Sequence, residues 1–287
     1  MTQNRTYVAF LVPSLGLLVL LLLIPFVWAI GLGFTNYNLF GIFGQKTQFI
    51  GLANYVRLFT DSDFYVSVRV TLEFLFLAIA GQLMLGYAFA DLVRVKGIIG
   101  RRLVSIAMLI PWLTPGLVSA YMWQSVLNVD SGWLDAILAH LGLARVNWLY
   151  AHPLLSILFA NWSRGMAVAF LLLSAALESI PDTVYDAARI DGASSWQTLV
   201  HIKIPMIRYS ILVTLLVATF GTLLAFDLIY VLTGGGPLNR TEVFAIFIYN
   251  RAFKEMALGF AGAASTVILI ITLALGIGYV RSIRVEI

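Results

Sequence analysis

Six long apolar segments alternate with shorter polar ones along this 287-residue chain. Each segment is long enough for a transmembrane helix, which needs about 20 predominantly apolar residues. We predict spans at Tyr7–Phe34, Val70–Val93, Leu103–Leu127, Leu154–Leu177, Tyr209–Leu232 and Leu258–Val280. The first apolar run is too long for a signal peptide and no small-residue cleavage site follows it, so we expect it to be retained. The pattern predicts an all-α, polytopic membrane protein with six transmembrane helices in a single domain, 1–287.

Composition supports a membrane protein and excludes several other classes. Hydrophobic residues make up 61% of the chain and charged residues only 11%, whereas a soluble protein carries about 25% charged residues. The chain has no cysteine, so disulfides, thiol catalysis and cysteine-ligated metals are excluded. The three histidines lack metal-ligand spacing, and we expect no metal site. The modest net charge of +4 does not indicate nucleic-acid binding; we expect membrane lipid as the surroundings.

Basic residues predict the orientation of the spans. They are concentrated in RVKGIIGRR, residues 94–102, a short loop between the second and third spans. Short loops rich in Lys and Arg face the cytoplasm. We therefore expect Lys96 and Arg189 inside, Lys46 and Arg240 outside, and both termini in the cytoplasm. This topology suits a multi-pass membrane protein.

The third span contains IPWLTPG, with Pro111 and Pro115 four residues apart. Prolines within a span free backbone carbonyls and kink the helix. One interpretation is a kink that only serves packing; the other is a helix that lines a pathway. Aromatic faces pack on apolar sugar faces while polar tips bind hydroxyls. The side chains here that suit a sugar are Trp112, Thr114, Tyr121, Trp123 and Gln124.

A polar segment at 179–208 separates the fourth and fifth spans. Pro181 and Asp182 suit a first helical turn, Gly192 a helix C-cap, and Ser194 an N-cap. Gln197 stands three residues after Ser194, as in a capping box, and Pro205 closes the second helix. We predict helix, glycine bend, helix, with a shallow face formed by Ala187, Ala188 and Ala193 that another protein could approach. Short helices in an ordinary inner loop are the alternative.

The same segment resembles the EAA motif of ATP-binding cassette (ABC) importer permeases. DAARIDGA at 186–193 is followed by Ile202 and Pro205 at the family's spacing, with Asp186 in place of the usual Glu. FIGLANY, GRRLV, LIPWLTP and FDLIYVLTGGGP (226–237) are similar to the carbohydrate-uptake branch, which includes maltose and glycerol-phosphate permeases. The resemblance covers nearly the whole chain.

That resemblance implies a permease subunit that forms half of a translocation pathway for a sugar, polyol or glycoside. It implies that the segment 179–208 couples transport to a separate ATPase, through Asp186, Ala187, Ala188, Asp191, Gly192 and Ala193. The implied partners are a second homologous permease, two cytoplasmic ATP-binding subunits and an extracytoplasmic substrate-binding protein. The chain itself would be no enzyme and bind no cofactor, because ATP and Mg would bind the partner ATPase; no G-x-x-x-x-G-K-[ST] loop is present.

Polar groups inside the predicted spans are the remaining candidates for a substrate pathway. Glu73, Gln82, Arg164 and Asp227 lie within apolar runs, and intramembrane charges normally pair or face water. Arg164 either forms an ion pair with Glu73 or Asp227, or contacts substrate. The candidate pathway residues are Trp112, Tyr121, Trp123, Gln124, Arg164, Asp227 and Tyr230.

Two other classes fit less well. A secondary transporter would favour internal repeats and ionisable relays, and we find no repeat. A membrane-embedded enzyme would need a catalytic constellation, and neither H-E-x-x-H nor G-x-S-x-G occurs.

Overall fold

The computed structural model describes residues 12–13, 15–39, 46–94 and 100–284. Within these residues the chain is helical, with no strand beyond one isolated antiparallel bridge between Thr35 and Phe49. The first turns of the first predicted span and Lys96 lie outside the described residues. The prediction of an all-α membrane protein is confirmed; the orientation of the termini stays a prediction.

The described part of the chain contains fifteen α-helices and three π-helical turns with defined bounds, besides helical residues at 12–13 and 15–18 and the connecting loops. The α-helices are α1 Ile24–Leu32, α2 Ala53–Thr60, α3 Ser62–Arg94, α4 Arg101–Leu113, α5 Gly116–Val126, α6 Trp133–His140, α7 Trp148–Ala151, α8 Pro153–Glu178, α9 Asp182–Ile190, α10 Ser195–Thr198, α11 Ile204–Met206, α12 Arg208–Leu223, α13 Phe226–Leu232, α14 Phe244–Tyr249 and α15 Leu258–Arg284. The π-helical turns are Val19–Leu23, Leu199–Lys203 and Asn250–Lys254.

Four continuous helices are long and apolar enough to cross a membrane: Leu15–Leu32, Ser62–Arg94, Pro153–Glu178 and Leu258–Ser282. Two bent pairs raise the number to six if each is one span. They are Arg101–Leu113 with Gly116–Val126, and Ser195–Met206 with Arg208–Leu223. Five of the six correspond to spans expected from the apolar pattern. In the sixth, only Arg208–Leu223 overlaps the expected span Tyr209–Leu232, because Ser195–Met206 belongs to the polar segment 179–208.

The third span is broken by 104° between α4 and α5. Pro115 has no N–H to donate, and a residue before proline is driven away from helical geometry. Thr114 accordingly is extended, with ψ of 129°, while its hydroxyl donates to the carbonyl of Ile110 at 3.0 Å. Pro111 lies inside α4. The break expected from IPWLTPG is therefore at Pro115.

The fifth span differs from the continuous helix expected over Tyr209–Leu232. It bends by 75° at its start, beside Ile207. It then ends at Leu223, and α13 begins at Phe226 after two non-helical residues. No proline stands at this second break, so the apolar pattern gives no sign of it.

The chain divides into two compact units. The first lies within Met1–Tyr65 and Phe247–Leu275. There Arg251 pairs with the carboxylates of Asp61, Asp63 and Glu255 at 3.2, 2.9 and 2.5 Å. Burial alone would lower the pKa of Arg251, but these carboxylates raise it above its ordinary value. The guanidinium stays charged and joins α2, α3 and the π-helical turn at 250–254.

The second unit lies within Val66–Ile246 and Gly276–Ile287, and it contains both candidate sites. Its buried side chains form two apolar clusters. One centres on Phe74, Ile157, Leu228 and Ile246. The other centres on Ala90, Phe170, Leu177 and Ile207. Both clusters pack α8 against α3, so α8 is the central helix of this unit.

Candidate functional site

A cavity of about 350 Å³ opens between the helices of the second unit, a volume within the range of ligand pockets. It lies where the breaks of the third and fifth spans meet α3 and α8. The lining residues are Gln82, Trp112, Gly116, Asn161, Arg164, Gly165, Val168, Ala169, Thr214, Val217, Ala218, Gly221, Leu224, Ala225, Asp227 and Leu228. An apolar bundle thus encloses a partly polar space.

A buried amide network forms one wall of the cavity. The side-chain nitrogen of Gln82 donates to Asn161 Oδ1 at 2.5 Å and to Thr222 Oγ1 at 3.1 Å, and all three residues are buried. A Cβ at Gly165 would stand 2.0 Å from the carboxamide carbon of Gln82, so any larger residue there would displace this carboxamide from its position between α3 and α8. The network fixes polar groups that point along the cavity wall.

Arg164 and Asp227 bring opposite charges to the cavity. A Cβ on Gly116 would stand 3.1 Å from Arg164 Nη1 and 3.5 Å from Asp227 Oδ2, so both groups face the same point. In the described part of the chain they form no ion pair with each other, and Arg164 Nε is buried without a hydrogen-bond partner. Glu73, the other expected partner, is exposed on α3. Neither ion pair expected for Arg164 is present.

The aromatic candidates separate into two groups. Trp112 lines the cavity with half of its surface exposed. Trp123 instead donates from Nε1 to Ser163 Oγ at 3.0 Å, and Tyr230 stacks on Phe226 with ring centroids 5.3 Å apart. Tyr121 and Gln124 also lie outside the cavity lining.

The structure therefore brings together Trp112, Arg164 and Asp227 from the candidate pathway residues. It adds Asn161 and Thr214, which the sequence analysis missed. The sequence marks Asn161 and Thr214 as candidates only in that each is a polar residue within an apolar run.

The segment 179–208 forms the helix, glycine bend and helix that its capping residues predict. Gly192 has φ of +72° and donates to the carbonyl of Arg189 at 3.1 Å, while Ala193 donates to that of Ala188 at 2.9 Å. These two bonds are a Schellman motif. Ser194 and Gln197 form the reciprocal capping box at the start of α10. The bend is thus held by hydrogen bonds on both sides.

Exposure along this segment corrects one expectation. Ala187 is exposed, but Ala188 is buried, with 6% of its surface exposed. Helical geometry places residues 184 and 188 on the inner side of α9, so Ala188 cannot belong to an open face. The exposed surface instead includes two apolar side chains that the sequence analysis missed. Ile190 is 86% exposed and Trp196 is 70% exposed.

Charged contacts attach this segment to the C-terminal end of α3. Lys203 Nζ lies 2.5 Å from Asp91 Oδ1. Arg94 Nη1 donates to the hydroxyl of Tyr185 at 2.5 Å, and its Cζ lies 4.7 Å from the centre of the same ring. These contacts join α9, through Tyr185, and the turn Leu199–Lys203, through Lys203, to the end of α3.

Metal-binding clusters of three or more His, Cys, Asp or Glu residues do not occur in residues 12–13, 15–39, 46–94 and 100–284.

Comparison with known proteins places the whole chain among transport proteins. Residues 82–285 match the model of the family described as binding-protein-dependent transport system inner membrane component. The trehalose/maltose transport system permease protein MalF of Thermococcus litoralis is 33% identical over 83% of this chain and 81% of that protein. The trehalose transport system permease protein SugA of Mycobacterium tuberculosis is 32% identical over 93% of this chain and 85% of that protein.

A solved structure has the same fold. It is a bacterial alginate ABC transporter in complex with an alginate pentasaccharide-bound periplasmic protein. The matched chain has a TM-score of 0.81 at 21% identity, and the match covers 99% of this chain and 95% of that one.

Proposed function

Because the chain belongs to the family of binding-protein-dependent transport system inner membrane components, we propose that it is a permease subunit of an ABC importer for a sugar or a related polyol or glycoside. Two of its relatives are named as permeases for trehalose or maltose. The observation that carries the proposal is the polar cavity, because a sugar needs both hydrogen-bonding groups and an aromatic face. The chain supplies both in one place.

We infer that the cavity is the substrate site of this subunit. Gln82, Asn161 and Thr214 offer uncharged polar groups. Arg164 and Asp227 offer unused hydrogen-bond donors and acceptors. The aromatic ring of Trp112 lines the same cavity. Hydroxyl groups both donate and accept, so they match this mixture. The test is uptake of labelled disaccharides and polyols by cells that express the importer. Failure of every sugar to enter, with uptake of another solute class, would refute the proposal.

Replacing Trp112 with alanine is expected to raise the apparent KM for sugar by about fivefold, because a stacked aromatic ring contributes roughly 1 kcal/mol. Transport assays in proteoliposomes measure this directly. Trp133→Ala is the matched control, because Trp133 is exposed on α6, outside the cavity lining, and should leave KM unchanged. Equal effects of the two changes would remove Trp112 from the site.

We propose that the importer contains a second homologous permease, two cytoplasmic ATP-binding subunits and an extracytoplasmic substrate-binding protein. The surface around Gly192 would contact the ATP-binding subunit, with Ile190 and Trp196 as its apolar contacts. ATP and Mg would bind that subunit, and this chain would hydrolyse nothing. Purification of a tagged chain tests the assembly, because the ATP-binding subunits should copurify and should be lost from a Trp196→Asp variant.

The proposed topology predicts which side of a prokaryotic inner membrane each loop faces. The chain has no cysteine, so single cysteines can be introduced at Arg189 and Arg240 without a background. An impermeant thiol reagent added to spheroplasts should label a cysteine at 240 and spare one at 189. The opposite labelling pattern would show that the topology is inverted. The segment 179–208 would then lie outside, where it could not contact a cytoplasmic ATPase.

A further inference from the structure

We propose that opposite charges on Arg164 and Asp227 restrict the cavity to uncharged sugars, with Asp227 as the residue that excludes acidic ones. This inference rests on the proposed function, because it assumes that sugar enters the cavity. It adds the charge class of the substrate and a specificity-determining residue.

The charges of the cavity lining are balanced. Of the residues that line it in the described part of the chain, only Arg164 and Asp227 are ionisable. They contribute one positive and one negative charge. Both lie within the second unit on different helices, Arg164 on α8 and Asp227 in the first turn of α13. The lining of the cavity therefore has no net charge.

The two charges leave hydrogen-bonding capacity for a ligand. They form no ion pair with each other, and both face the space in front of Gly116, which has no side chain to fill it. Arg164 also has a buried Nε without a partner. A neutral diol placed between them would donate to the carboxylate and accept from the guanidinium, so that both charges are satisfied by one ligand.

An acidic sugar would upset this balance. Its carboxylate would attract Arg164 but would bring a second negative charge close to Asp227, and the cavity would then carry a net charge within the membrane. Like charges at short distance and unbalanced charge in an apolar environment are both unfavourable. A protonated amino sugar would meet the same difficulty with Arg164. Among sugars that carry at most one charge, only the uncharged ones leave the cavity neutral.

Three matched probes test the inference: methyl glucoside, methyl glucuronoside and methyl glucosaminide, which are neutral, anionic and cationic at pH 7. Their binding to the purified importer is measured by saturation-transfer NMR. Wild type should prefer the glucoside at least tenfold over either charged probe. Asp227→Asn, which leaves the cavity positive, should improve glucuronoside binding relative to glucoside at least tenfold. Arg164→Gln should do the same for the glucosaminide.

Two further variants keep the test decisive. The double variant Arg164→Gln/Asp227→Asn has no net charge, so its preference for the neutral probe should return even if one single variant does not purify. Glu73→Gln, which removes an exposed carboxylate on α3 outside the cavity, should leave all three ratios unchanged. Unchanged ratios in both single variants would overturn the inference and leave the sugar site standing. Failure of wild type to bind any probe would refute the sugar site, and with it this inference.

Discussion

A valine at position 192 is expected to reduce sugar uptake about tenfold while the chain still enters the membrane. Gly192 has φ of +72°, where a β-branched side chain costs roughly 1–2 kcal/mol. No atom lies within 4 Å of a Cβ built there, so the effect is confined to the backbone. Valine would therefore break the Schellman bonds and move α10 relative to α9. The surface that we propose contacts the ATPase would lose its shape.

Gly142 provides a matched control for this change. It has φ of +73°, and a Cβ built there also has no atom within 4 Å. It follows α6, however, and lies outside the segment 179–208. Gly142→Val should cause the same local strain and leave both uptake and ATPase copurification intact. Gly192→Asn should retain uptake, because asparagine tolerates left-handed geometry. Normal uptake by Gly192→Val at normal expression would remove the coupling role from this segment.

Conversion of Arg164 to lysine is expected to reduce uptake at least tenfold while assembly with the ATPase is preserved. Lysine keeps the positive charge that balances Asp227, but it lacks the planar set of donors that a guanidinium offers to neighbouring oxygens. Arg164 lines the cavity and makes no ion pair in the described residues, so a structural pairing is not available to be lost. The loss should therefore appear in transport and not in yield.

Arg102→Lys is the control for this prediction, because Arg102 is exposed at the start of α4 and lies outside the cavity lining. It should transport normally. If instead Arg164→Ala fails to assemble, and removal of Glu73 or Asp227 as well restores both assembly and uptake, then the arginine is a structural ion-pair partner. That result would contradict its place in the substrate pathway.

The helix, glycine bend and helix of the segment 179–208 could be predicted almost residue by residue because the signals are local. The C-cap at Gly192 and the capping box of Ser194 and Gln197 depend on neighbours within four residues, and both are present. Ala188 was placed on the wrong side because exposure depends on how α9 packs, which local signals do not encode. The exposure of Ile190 and Trp196 was missed for the same reason.

The residues and helix breaks that form the cavity could be predicted from the sequence only in part. The two prolines of IPWLTPG predict a kink in the third span, but Pro111 lies inside α4 and only Pro115 stands at the break. The break at Leu224 and Ala225 has no such residue, and it was missed. Which polar residues meet across α3, α8 and α12 depends on the rotation of each helix, so Arg164 could be identified as a candidate but its surroundings could not. The aromatic candidates Trp123 and Tyr230 were separated from Trp112 only by the packing.

The length of α3 has a consequence for the contacts at its end. Its 33 residues extend about 50 Å as a helix, whereas the hydrocarbon core of a bilayer is only about 30 Å thick. Several turns must therefore lie among headgroups or in water. Asp91 and Arg94 stand in the last turn of α3. Lys203 Nζ touches Asp91 Oδ1 directly and the Lys203 side chain is only 15% exposed, and salt screens such partly buried pairs much less than exposed ones. The attachment of the turn Leu199–Lys203 to α3 should therefore persist over a wide range of ionic strength.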